Sequence, residues 1–350
     1  RTGGRRTFRQ RYLVCDAGGV EWSVGDPIFL YVGNEADVEL YVNATGLMWE
    51  WAPEHRARLV FVEHRYFGKS TPLAGPGEHP WEYLTTEQAL ADFSEFVSQL
   101  RGPVLRSARS PIIGFGGSYG GMLCAWLRAS APWLLDACLS ASAPVMSFEG
   151  LDPPANPNFY AEGVTVDVSA AGGASDSCRQ RLRVAWPLIL KLGESGPGRA
   201  EIAETLGLCG VPGDPWQVVY WLSSALDYMA MGSYPYPSSY ILNGRGFMPA
   251  YPLRRACDHI AAAAPGPHPL LASLRAAVSI FYNASGAAGR CFNLTAGGNN
   301  ETAEDGRKWG YIYCSSILQA FGRGGTSDMY WKAPWNVTAA QENCWAQYGL

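Results

Sequence analysis

The sequence predicts an α/β protein followed by a mainly helical part, and three observations carry that prediction. Through the first 150 residues, short apolar runs alternate with helical patterns. The run GFGGSYGGMLCAW sets Ser118 in a G-x-S-x-G between a strand-like and a helix-like segment. After Asp152-Pro153-Pro154 strand-like runs become few and helical periodicity takes over. Residues 1–150 are therefore expected to form an α/β core and residues 151–350 a second, mainly helical unit.

The expected strands are Phe8–Cys15, Pro27–Val32, Arg58–Glu63, Pro111–Gly114 and Ala137–Ser142, each apolar and bounded by Gly, Pro or charge. Runs of that kind suit a mostly buried, parallel sheet. A helix is expected from Thr85, whose hydroxyl can cap it while Gln88 reaches back. Ala89, Phe93, Phe96, Val97 and Leu100 then recur at helical spacing. The helix after Ser118 is expected to run through Met122, Trp126 and Leu127 and to stop before Pro132. In the second part, helices are expected at Asp176–Leu192, Trp216–Ala230, Leu253–Ala264, Pro269–Tyr282, Gly306–Phe321 and Ala339–Ala346. Gly193–Gly198, Gly286–Gly289 and Pro265–Pro269 read as loops. Arg1, Arg5, Arg6, Arg9 and Arg11 read as a solvated segment leading into the first strand.

With 47% apolar and 17% charged residues the 350-residue chain is globular. A net charge of −4 argues against a nucleic-acid partner. No apolar run approaches the roughly 20 residues that span a bilayer. The nine cysteines form no C-x-x-C pair, so no metal site and no cofactor is expected. Cys178, Cys209, Cys257, Cys291, Cys314 and Cys344 suit disulfides of an oxidising compartment. Cys124 and Cys138 lie in apolar stretches and read as buried, inert thiols. Asn43, Asn283, Asn293, Asn300 and Asn336 head N-x-S/T sequons, which also points to the secretory pathway.

The serine motif is the strongest signal. A strand, a sharp turn and a helix hold a serine at the apex only if its neighbours lack side chains, hence the glycines. The helix N-terminus beneath favours the anion formed when that serine attacks a carbonyl.

The motif has companions in fixed order: YVGNEADV from Tyr31, FVEHRYFGKSTP from Phe61, LTTEQALADF from Leu84 and SASAPV from Ser140. SYPYP from Ser233, FYNASG from Phe281, TSDMYW from Thr326 and the terminal CWAQYGL follow more loosely. Together they resemble the prolylcarboxypeptidase family of serine peptidases, along nearly the whole chain. The resemblance implies an α/β-hydrolase core, incomplete because its C-terminal strands are missing, with an inserted helical cap. It implies a serine exopeptidase, of carboxypeptidase or dipeptidyl-peptidase type, that cleaves after proline in short peptides, with YNASG and the absence of an extra cysteine pair leaning toward the dipeptidyl-peptidase branch. The expected location is a lysosome or vacuole, or the extracellular space. Ser118 matches the nucleophile. The N–H of Tyr119 would supply half of the oxyanion hole and the Asn34 loop the other half. The implied disulfides are Cys178–Cys257, Cys209–Cys291 and Cys314–Cys344. Peptides are the expected partners, and a homodimer is compatible with the sequence.

A serine needs an imidazole base and an acid that orients it. In the family these follow the point matching CWAQYGL, so they are expected beyond Leu350 and the chain alone is expected to be weakly active at best. His259 and His268 read as surface residues, and His64 as a hydrogen-bonded structural group. For specificity, Met329, Tyr330 and Trp331, with Tyr234 and Tyr236, are candidates for a flat proline slot, equally readable as cap core. Glu35 and Asp37 could hold a substrate's amino group. The alternatives are a non-catalytic glycoprotein on the same fold and a related esterase.

Overall fold

The computed structural model describes residues 7–19, 21–75, 77–104, 109–294 and 303–350. The chain divides into two compact units, one of Arg1–Ala155, Ala303–Gln319 and Val337–Leu350, the other of Asn156–Thr302 and Ala320–Asn336. The single break expected at residue 150 is thus replaced by a boundary at Ala155 and by two later segments grouped with the first unit. The physical reason is apolar: Tyr311, Ile312 and Ile317 complete the first unit's core.

The first unit holds a five-stranded sheet. Its strands are β1 (Tyr12–Asp16), β2 (Ile28–Val32), β3 (Arg58–Val62), β4 (Ile112–Gly117) and β5 (Ala137–Ala141), in the order β1-β3-β2-β4-β5. All neighbours pair in parallel except β1, which runs antiparallel to β3. The all-parallel expectation therefore fails at that edge. β1 alternates exposed and half-buried residues, as an edge strand solvated on one face does. β2, at the centre, is buried at every position.

Helices α1 (Val38–Ala44) and α2 (Gly46–His55) follow β2, α3 (Thr86–Gln99) precedes β4 and α4 (Ser118–Ser130) leaves it directly. Thr85 caps α3 by accepting from the Gln88 N–H, and Ala89, Phe93, Phe96 and Val97 form its buried face. The helix expected over Gly306–Phe321 is shorter: α11 (Ala303–Ile312) passes into a wider turn at Tyr313–Ile317. Cys314 is bonded there to Cys344 of the last helix (Val337–Tyr348).

The second unit is helical: α5 (Phe159–Asp167), α6 (Asp176–Gly193), α7 (Gly196–Leu206), α8 (Pro215–Met231), α9 (Pro252–Ala262) and α10 (Pro267–Tyr282), with the last helix of the chain numbered α12. α7 starts inside the loop expected at Gly193–Gly198, because the Ser195 hydroxyl accepts from the Gly198 N–H and Pro197 sits where a helix needs no donor. Disulfides Cys178–Cys257 and Cys209–Cys291 cross-link this unit. Cys124 and Cys138 are not free thiols: they form a disulfide between α4 and β5, which leaves Cys15 as the free cysteine. Among the described residues no helix is long and apolar enough to cross a membrane, and no group of acidic, His or Cys side chains is arranged to hold a metal.

Candidate active site

The carboxyl ends of β2, β3, β4 and β5 form one edge of the sheet. The chain leaves β2 toward β3 on one side and later returns to β4 on the other, so the order reverses between β2 and β4. Open α/β sheets bind ligands at such a point. Asn34 follows β2 there and Ser118 follows β4.

Ser118 is exposed and adopts φ 52°, a left-handed conformation that costs a non-glycine residue about 1–2 kcal/mol. Its neighbours show why glycine is required. A Cβ on Gly116 would lie 2.3 Å from the Gly120 carbonyl oxygen. One on Gly120 would lie 2.7 Å from the Val32 carbonyl oxygen and 3.1 Å from Asn34. Gly117, with open space around its Cβ position, is not forced in this way. Ser118 opens α4, so the Tyr119 N–H is one of the first-turn donors without a partner inside the helix. Asn34 is buried, and the Tyr31 hydroxyl donates to its Oδ1 at 3.1 Å.

Below the serine, Tyr119 is buried against the loop after β3. Its hydroxyl lies 3.2 Å from Thr86 Oγ1 and 3.4 Å from His64 Nε2. The Arg65 carbonyl can only accept, so His64 Nδ1 donates to it at 2.7 Å and Nε2 is left as the acceptor. Complete burial lowers the His64 pKa to about 4, despite that hydrogen bond. His64 is therefore a neutral structural group. His259 and His268 are exposed, His268 at the start of α10 beside Thr205 Oγ1 rather than in a turn. None of the chain's five histidines hydrogen-bonds Ser118.

The same loop contains a buried charge network that the sequence reading missed. Glu63 is fully buried, and its carboxylate accepts from the Ser70 hydroxyl at 2.6 Å, the Lys69 N–H at 2.9 Å and the Val38 N–H at 3.2 Å. Arg11 lies 3.6 Å from it and pairs with Asp37 at 2.6 Å and Glu39 at 3.0 Å. Arg11 is thus an interior partner and not part of a solvated arm; Arg9 is exposed, and Arg1, Arg5 and Arg6 lie outside the described residues. Arg65 grips Asp92 with two bonds of 2.5 and 2.6 Å. Burial nevertheless raises the Asp92 pKa. The available signal was Glu63 and Arg65 at the end of an apolar strand, charged residues that are buried only when paired.

The other candidates scatter. Asp37 caps α1 by accepting from the Glu39 N–H at 2.9 Å, while Glu35 stands half-buried one residue after Asn34. In the second unit Met329 and Tyr330 are core residues. Trp186 Nε1 donates to the Met329 carbonyl at 2.8 Å, and Tyr330 stacks on Trp186 and donates to Asp227 at 2.5 Å. Trp331 is half-buried against Trp216 and Tyr220. Tyr234 and Tyr236 stack on each other, Tyr236 being exposed. Burial takes Met329 and Tyr330 out of any slot lining in this structure.

The profile of the serine carboxypeptidase S28 family matches residues 2–350. This chain belongs to that family. Among its relatives, lysosomal Pro-X carboxypeptidase of Pongo abelii is 33% identical over 354 residues, covering 99% of this chain and 68% of that one. The Homo sapiens protein of the same name shows the same identity and coverage. Thymus-specific serine protease of Mus musculus is 34% identical over 207 residues, covering 59% of this chain and 39% of that one. The S28 chain is thus a serine peptidase by family, on an α/β-hydrolase fold with a helical cap.

Proposed function

We propose that this S28 protein is a serine exopeptidase that cleaves after proline in short peptides through an acyl-enzyme on Ser118. The observation that carries the reading is the exposed hydroxyl of a left-handed serine, wedged between glycines that cannot accept a Cβ. Attack by Ser118 Oγ on a peptide carbonyl would place the developing oxyanion toward the Tyr119 N–H and the Asn34 loop. None of the five histidines hydrogen-bonds Ser118, so no base and orienting acid are assigned among the described residues. Without them, only the residual catalysis of an oxyanion site is expected.

Two features favour carboxypeptidase action over dipeptidyl cleavage. The relatives named lysosomal Pro-X carboxypeptidase match along 99% of the chain. Asp37, one of the two carboxylates suited to a substrate's amino group, is already engaged by Arg11 and the α1 cap. The disulfides and the exposed sequon residues Asn43, Asn283, Asn293 and Asn336 support a secretory or lysosomal route; Asn300 lies outside the described residues. An esterase or a non-catalytic glycoprotein is the competing reading.

The test uses the protein as its own gene encodes it. A fluorophosphonate probe is expected to modify Ser118, located by peptide mass spectrometry. An N-acetylated peptide ending in Pro-Phe is expected to be cleaved, and its C-terminal amide spared. No adduct on Ser118 overturns the enzyme reading. Loss of cleavage on N-acetylation would convert it to a dipeptidyl peptidase.

A further inference from the structure

Ser118 has a counterpart on the adjacent strand. The β4–β5 ladder pairs Gly116 with Ser140 and Gly117 with Ala141. Continued by one residue, that register sets Ser142 beside Ser118. Ser142 is exposed, and its φ is 48°, against 52° for Ser118. Two adjacent parallel strands are therefore each followed directly by a serine in the same disfavoured backbone conformation, at the edge where α/β sheets bind ligands.

The placement of Ser142 is tightly determined. The Ser140 hydroxyl donates to the Gly121 carbonyl at 2.8 Å and ties β5 to the first turn of α4. A Cβ on Gly121 would lie 2.9 Å from Ala143 Cβ and 3.2 Å from the Ala141 carbonyl oxygen, so the turn and the helix are in close contact on both sides of Ser142. Past the turn, Gln319 Nε2 donates to the Pro144 carbonyl at 3.0 Å. Among the described residues nothing hydrogen-bonds the Ser142 hydroxyl, whereas Ser140 two residues earlier is fully engaged. A strained residue with an exposed, unengaged polar group is stabilising nothing in the fold, and such residues gather at functional sites.

Strand order fixes the side. β2, with Asn34 at its end, flanks β4 on one side, and β5, with Ser142 at its end, flanks it on the other. We infer that the Ser142 hydroxyl is a substrate-binding group, hydrogen-bonding the peptide backbone next to the scissile bond on the flank opposite the Asn34 loop. This rests on Ser118 being the nucleophile.

The test compares Ser142→Gly and Ser142→Asn with the unsubstituted protein as its own gene encodes it. Glycine and asparagine both accept positive φ, so neither should impair folding. Ser142→Gly is expected to lower kcat/KM for a proline-containing peptide by about tenfold, the loss of one hydrogen bond. Ser142→Asn, which keeps a donor, is expected to recover most of it. The rate at which a small fluorophosphonate labels Ser118 is expected to stay within about twofold, since that probe has no peptide backbone to be held. Unchanged peptide turnover in Ser142→Gly overturns the proposal, and so does a parallel fall in labelling rate, which would mean a purely structural role. Labelling that persists in Ser118→Ala, or is absent from the unsubstituted protein, overturns the nucleophile assignment and this inference with it.

Discussion

The sheet unit and the helical unit are held together in different ways. In the sheet unit, polar groups bind backbone. Glu63 accepts from two N–H groups, Arg65 donates to the Tyr83 carbonyl, Thr85 caps α3, and the glycines after β4 bring backbone into contact with backbone. The helical unit has such bonds too, with the Asp328 carboxylate accepting from the Gly324 and Tyr330 N–H groups, but it adds aromatic stacking and disulfides that close loops of 79 and 82 residues, against 14 and 30 in the sheet unit. The lesson is that an exposed reactive group needs directional fixing. Hydrogen bonds to backbone give direction, whereas apolar burial and cross-links give only compactness.

Four experiments would break or sharpen this contrast. The largest effect is expected from the cross-links. Replacing Cys209 and Cys291 together by alanine should destabilise the protein by about 4.5 kcal/mol, since the bond spans 82 residues, against about 3 kcal/mol for Cys124 with Cys138, which spans 14. Denaturant titration reads both, and the reverse order would break the contrast.

Next is Glu63→Gln, which places an amide NH2 where the Lys69 N–H and the Ser70 hydroxyl need an acceptor, while Arg11 keeps Asp37 and Glu39. A loss of about 3 kcal/mol is expected in the same titration. A loss below that of a surface substitution would mean that the carboxylate does not organise the loop after β3.

Third is a pH effect confined to the helical unit. Burial raises the Asp227 carboxyl to about 6, against the opposing pull of Arg323 and the Tyr330 hydroxyl. The native state therefore holds a proton that the unfolded chain, with an ordinary pKa of 3.8, releases. Stability should fall as pH rises from about 4 to about 6, by at most roughly 3 kcal/mol, and stay lower above that window. Thermal unfolding between pH 4 and pH 8 should show this loss, and Asp227→Asn should flatten it. An unchanged slope in Asp227→Asn would assign the pH dependence to other groups.

The smallest effect is at the α3 cap. Thr85→Ala removes the acceptor of the Gln88 N–H and should cost about 1 kcal/mol. Thr85→Asp should recover it.

Much of the sheet was legible because its signals are local. β2 and β3 begin one residue or less from the expected positions, and α3 and α4 carry their own start and stop signals in Thr85, Gly117 and Pro132. The antiparallel run of β1 was not legible, because strand direction depends on which neighbour the chain meets. Helices α1, α2, α5 and α7 were missed, being short segments or segments containing glycine and proline whose stability comes from caps and packing. The Cys124–Cys138 bond escaped for a related reason. An apolar context reads the same for a buried thiol as for a buried disulfide, and only the packing of α4 on β5 brings the two sulfurs together.

By itself the sequence determined the α/β class, the serine elbow with its glycines, and the family. These depend on residue types at fixed local spacing, where sterics permit one solution. Tertiary structure decided which charges are buried, that His64 is a neutral core group, that Met329 and Tyr330 lie in a core, and that the strands leading into Ser118 and Ser142 are neighbours. Those depend on desolvation and on strand neighbours far apart in the chain, and neither is encoded in a run of adjacent residues.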